Sequence, residues 1–149
     1  AAAALAPAAA FYLPGVAPQD YARDDLVSFK VNSLSSAKTA LPIEYYSLPF
    51  CKPPKVTASA ENLGEVLRGD RIYNSLYQIQ MRLDEVCKVT CKVDSLSKSK
   101  AAELTEKIEQ EYRINMILDN LPAAMVRMRE DNGDMIKMYE RGFPGGFKA

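Results

Sequence analysis

Residues 26–34 read LVSFKVNSL, with Val27, Phe29 and Val31 at alternate positions and Ser28, Lys30 and Asn32 between them. Successive side chains of a strand point to opposite faces, so this spacing predicts a strand with one apolar face and one wet face. A helix would need its apolar residues three and four apart. The same period recurs downstream. Tyr77, Ile79 and Met81 alternate with Gln78 and Gln80, and CKVTCKV at 87–93 puts Cys87, Val89, Cys91 and Val93 on one side. In YRINMILD at 112–119, Tyr112, Ile114, Met116 and Leu118 oppose Arg113, Asn115 and Ile117. AMVRM and MIKMY flank Asp131-Asn132-Gly133-Asp134, and Asn-Gly between two alternating runs is the strongest short hairpin signal. The expected fold is mainly β, antiparallel and sandwich-like, with two short α-helices.

The first helix is expected over residues 61–68. Ser59 can cap it, and Leu63, Val66 and Leu67 follow at three-and-four spacing. Gly69 then falls at the left-handed position where helices end. Arg68-Gly69-Asp70 therefore reads as a helix stop rather than an adhesion signal, which would need a loop tip presenting both charges. The second helix is expected over 98–111, capped by Ser97, with Leu104, Ile108 and Tyr112 stacked and Glu103 and Lys107 as a supporting pair. Between these elements, LPIEYYSLPFCKPPK at 41–55 carries four prolines and three aromatics and reads as edge strand and loop. Its Tyr45, Tyr46 and Phe50 form a candidate contact edge, although packing on the sheet is the more common use of such residues.

Composition excludes several chemistries. Lys+Arg and Asp+Glu number 19 each in the 149 residues, which removes the electrostatic case for nucleic acid or for a polybasic membrane-surface binder. There is no histidine, so Ser-His-Asp and Cys-His catalysis and every imidazole metal site are ruled out. Asp131, Asn132 and Asp134 miss the calcium-loop spacing, and no helix or Lys-Ser/Thr follows Gly142, Gly145 and Gly146 as a phosphate loop requires. No catalytic, cofactor-binding or metal residue is assigned, and no cofactor is expected. The alanine-rich start, broken by Pro7 and Pro14, is too weakly apolar to span a bilayer; it resembles the end of a secretory signal with Ala8-Ala9-Ala10 as the cleavage site. Residues 1–10 are assigned to that signal or to a low-complexity tail. In an oxidising compartment, Cys51, Cys87 and Cys91 imply one disulfide and one spare thiol; in a reducing one they imply three buried thiols. A regular strand would hold the Cα atoms of Cys87 and Cys91 roughly 13 Å apart, beyond the ~7 Å a disulfide tolerates. If a disulfide forms and that strand is regular, Cys51 is therefore one of its partners.

The order of motifs carries more than any single one. FYLPGVAPQDY at 11–21, VNSL at 31–34, LPIEYYSLPFC at 41–51 and SAENLGEVLRGDRI at 59–72 come first. CKVTC at 87–91, EYRINMILDNLPAAM at 111–125 and YERGFPGGF at 139–147 follow. Together they resemble the N-terminal lumenal domain of the transmembrane 9 superfamily, the nonaspanins. The resemblance implies that residues 11–149 are the N-terminal part of the lumenal domain of a nine-span protein of Golgi and endosomal membranes. Such proteins are linked to sorting or surface delivery of other membrane proteins, the expected partners. No enzymatic activity, small-molecule substrate or nucleic acid is implied. Relatives tend to keep the later cysteine, which favours Cys51–Cys91 and leaves Cys87 spare. The competing reading is a secreted or cell-surface adhesion module resting on Arg68-Gly69-Asp70 and the aromatic edge. An enzyme using carboxylates or a free thiol has no supporting constellation.

Overall fold

The alternation that begins at Leu26 is cut at Ser28 into β1 (Leu26–Val27) and β2 (Phe29–Ser35). The computed structural model describes residues 19–59, 67 and 70–148. The signal-like start, the helix expected over 61–68 (its Leu67, which is helical, excepted) and the Arg68-Gly69 turn lie outside them. After β2 come a 3₁₀ turn at Tyr45–Ser47, β3 (Ala58–Ser59), β4 (Ile72–Asn74) and β5 (Ile79–Gln80). Helix α1 (Lys98–Glu109) is followed by β6 (Arg113–Leu118), β7 (Leu121–Pro122), β8 (Ala124–Asp131), β9 (Asp134–Arg141) and β10 (Phe143–Pro144). The strand pairs are antiparallel throughout, so the mainly β class holds.

A six-stranded sheet in the order β10-β6-β2-β4-β3, with β7 also on β6, holds the core. β2 and β6 are its centre. Their register slips between Val31 and Leu34, and this bulge switches which residues of β2 face inward. Val31 and Leu34 are therefore both buried, at 0% and 1% exposure, although an uninterrupted strand would turn them to opposite faces. Tyr45, Leu48, Tyr112, Ile114 and Met116 complete this core. Asn32, at the bulge, is buried, and its Oδ1 accepts a hydrogen bond from the Ser33 N–H at 2.6 Å.

β6 turns back through Asp119 and Asn120, both at positive φ, into the short β7. Asn132 and Gly133 do the same between β8 and β9, at φ of 52° and 89°, as the Asn-Gly signal predicts. Ser97 caps α1 by accepting from the Lys100 N–H at 3.3 Å. The helix stops at Glu109, before the expected 111, because Glu111 takes a left-handed φ of 55°. Glu103 does not pair with Lys107. It bonds Lys100 at 2.7 Å, while Lys107 bonds Glu106 and lies 5.7 Å from the Tyr112 ring centre.

Two other expected strands are corrected. Of residues 77–81 only Ile79–Gln80 is strand, paired with β1, and Met81 continues the contact by exchanging backbone hydrogen bonds with Asp24 and Asp25. Residues 87–93 form no strand. Cys87 sits at φ 54°, which breaks an extended run, and Val86 and Val89 are 95% and 75% exposed. All of residues 82–97 are exposed, and among the described residues 84–96 make no backbone–backbone hydrogen bond. This stretch is a strap laid over the surface.

Candidate functional site

Residues 41–55 are not an edge strand. Pro42 and Pro49 have no N–H to give a ladder, and the chain between them closes locally instead. The Ser47 N–H and hydroxyl both donate to the Glu44 carbonyl, at 3.1 Å and 2.7 Å. Only Ile43 bridges to β2, exchanging two backbone hydrogen bonds with Leu34. The resulting 3₁₀ turn sends Tyr45 inward and leaves Tyr46 and Phe50 half-buried. Of the three rings in the candidate contact edge, Tyr45 is the one packed into the core, at 5% exposure.

The three rings form a stack. Tyr45 lies 4.7 Å from Phe50 in a near-parallel arrangement and meets Tyr46 edge-on at 4.9 Å. The Tyr46 hydroxyl donates to the Asn74 carbonyl at the end of β4, 2.7 Å away. Burial, with a smaller contribution from Tyr77, pushes the Tyr45 phenol far above its usual range, and the same causes raise Tyr46. Both phenols are neutral at physiological pH.

Cys51 follows Phe50 and bonds to Cys91, with Cα atoms 6.6 Å apart. This is the pairing the family resemblance favours. The strand argument against a Cys87–Cys91 bond no longer applies, since that strand does not form. Cys87 is free and exposed. The disulfide fastens the strap across the aromatic stack, and between them runs an open cleft of about 290 Å³. Its floor is Tyr45, Tyr46 and Phe50; Thr90, Val93 and Leu96 of the strap form one wall, and Leu76 and Tyr77 another. Tyr77 also borders a second hollow of about 280 Å³ with Phe29, Leu83 and Thr90.

Among the described residues that line the cleft, none is charged. It can hold an apolar or aromatic group and hydrogen-bond it through tyrosine and threonine hydroxyls. Among the described residues, no three Cys, Asp or Glu side chains are grouped to hold a metal ion. No helix among them is long and apolar enough to cross a membrane. Sequence reading missed Tyr77 and the strap walls. The bends around Ser75 and Cys87 that aim these residues carry neither proline nor glycine to mark them.

The family model described as endomembrane protein 70 matches residues 42–149, a stretch that includes the whole cleft. Transmembrane 9 superfamily member 10 of Arabidopsis thaliana is 53% identical over 139 residues, covering 93% of this chain and 22% of that protein. Transmembrane 9 superfamily member 4 of Homo sapiens is 43% identical over 149 residues, covering 93% of this chain and 23% of that protein. The chain thus spans about a fifth of the length of these relatives. No solved structure matches.

Proposed function

Because the chain belongs to the endomembrane protein 70 family, the transmembrane 9 superfamily of membrane proteins, we propose that it is a non-catalytic lumenal segment of a nine-span protein that handles other membrane proteins. The role is sorting or surface delivery from Golgi and endosomal membranes, and it works by protein–protein contact. The observation that carries this reading is the family match over residues 42–149.

The cleft supports it in chemical terms. Its raised tyrosines are poor nucleophiles and poor bases at neutral pH, and among the described residues no charged group lines it to stabilise a developing charge. An uncharged aromatic cleft suits an apolar side chain presented by a partner. A disulfide holding its wall suits an exported compartment. Half-buried Tyr46 and Phe50 with Tyr77 are the contact residues, and Tyr45 supports them from below.

Proximity labelling from tagged full-length protein tests the reading. Enrichment of membrane proteins with lumenal segments, reduced by Phe50→Ala, is the expected result. Labels confined to cytosolic or nuclear proteins would overturn it, as would turnover of a small molecule by the purified protein.

A further inference from the structure

The register slip between β2 and β6 sets Asn32 and Ser33 together opposite Asn115, two residues against one. Arg113 and Asn115 alternate with the core residues Tyr112, Ile114 and Met116, so they stand on the other face of β6. The Asn115 Nδ2 donates to the Ser33 carbonyl at 2.8 Å and to the Ser35 hydroxyl at 3.0 Å. That fixes the amide and leaves its Oδ1 without a donor among the described residues. Arg113 is held by the Arg141 and Gly142 carbonyls, at 3.1 Å and 2.8 Å, and neutralised by Glu140 at 3.3 Å. With Pro42, Asp70 and the Arg141 side chain, these residues line a hollow of about 350 Å³.

Three further groups in the hollow lack partners. Asn32 is 5% exposed and its Oδ1 takes the Ser33 N–H, but among the described residues its Nδ2 donates to nothing. A buried amide N–H without an acceptor is costly and rare, and it points to a group that completes it. The Asp70 carboxylate and the Arg141 guanidinium likewise make no ion pair among the described residues, with each other or elsewhere, although both line the hollow. We propose that the hollow binds one sugar residue through its ring hydroxyls, without converting it. An anion drawn to Arg141 would meet Asp70, and a cation drawn to Asp70 would meet Arg141. A hydroxyl is donor and acceptor at once. Neighbouring hydroxyls of a neutral pyranose therefore donate to Asp70 and the Asn115 Oδ1 while accepting from Arg141 and the Asn32 Nδ2. Pro42 offers an apolar ring to the sugar's C–H face. The volume lies at the small end for ligand sites, which suits a single ring. No described residue lines both this hollow and the aromatic cleft, and the inference is independent of the client-handling role.

The test uses full-length protein in a detergent without a sugar headgroup. It is mixed in turn with the methyl pyranosides of glucose, galactose, mannose and N-acetylglucosamine, and with acetate, methylammonium and glycine. Saturation-transfer NMR is expected to show transfer to at least one pyranoside and to none of the three charged molecules. Asp70→Asn and Arg141→Ala are each expected to weaken that pyranoside about tenfold, the loss of one hydrogen bond to a charged group, with circular dichroism unchanged. Lys98→Ala, on α1, leaves binding as it is. Asp70→Asn keeps the shape of the side chain, so it decides the matter even where Arg141→Ala disturbs the end of β9. Transfer to no pyranoside would overturn the proposal, as would transfer to acetate, methylammonium or glycine instead. Pyranoside binding that survives Asp70→Asn at full strength would do the same.

Discussion

Gly142 lies at φ 72°, and a Cβ there would stand 2.9 Å from the Ile114 carbonyl oxygen and 3.2 Å from the Asn115 side-chain oxygen. Two separate facts, left-handed backbone and contact with the central strand, require glycine at this residue. Gly142→Ala is expected to cost roughly 1–3 kcal/mol in urea denaturation; wild-type stability would show that β10 can shift away. Tyr45 makes a different prediction. Its folded pKa is raised above the unfolded value near 10, so its contribution is fully present below pH 10 and is lost as pH rises beyond. Stability is therefore expected to fall above pH 10 by up to about 1.4 kcal/mol per pH unit from this group. Tyr45→Phe should flatten that part of a melting-temperature profile. An identical alkaline slope in the variant would mean that other tyrosines set it.

At the scale of elements, the strap shows how much one covalent bond replaces. Residues 84–96 have no ladder among the described residues, so the Cys51–Cys91 bond, across a sequence separation of 40, holds them in place. In the chain-entropy model, closing a loop of this length contributes about 4 kcal/mol. Cys51→Ser and Cys91→Ser should each lose an amount of that order, while Cys87→Ser should leave stability unchanged. Equal losses for Cys87→Ser would reassign the bond. Under reducing conditions, trypsin is expected to cut first at Lys88 and Lys92, in the strap. Initial cleavage within β2 or β6 would show that the sheet opens first. Ser97→Ala, which removes the cap of α1, should cost about 1 kcal/mol, with loss of helical circular dichroism as the check.

For the whole molecule, the equal numbers of acidic and basic residues appear as ion pairs along the surface, such as Arg71–Glu44 and Lys38–Glu111. Exposed pairs contribute little and are screened by salt. Unfolding free energy is therefore expected to change by less than about 1 kcal/mol between low and moderate sodium chloride. A larger change, read from denaturation curves, would point to a buried charge network. Stability comes instead from the contact between β2 and β6. Leu34→Ala, opposite Ile114 near one end of that contact and almost fully buried, should cost about 2–5 kcal/mol.

What the sequence by itself determined is whatever depends on near neighbours. Period-2 alternation marks β2, β6, β8 and β9 because a strand's two faces are written in adjacent residues. The Asn132-Gly133 turn and the Ser97 cap are legible for the same reason: their chemistry is complete within a few positions. Tertiary structure decided the rest. Alternation in 87–93 did not make a strand, because a strand exists only when another offers its open edge, and among the described residues none meets these. The β2 bulge depends on matching β6, 80 or so residues away in the chain, so nothing local announces it. Tyr45, Tyr46 and Phe50 read alike as aromatic side chains. Only the folding of a proline-bounded turn against β2 made the first a buried floor and left the others at a cleft.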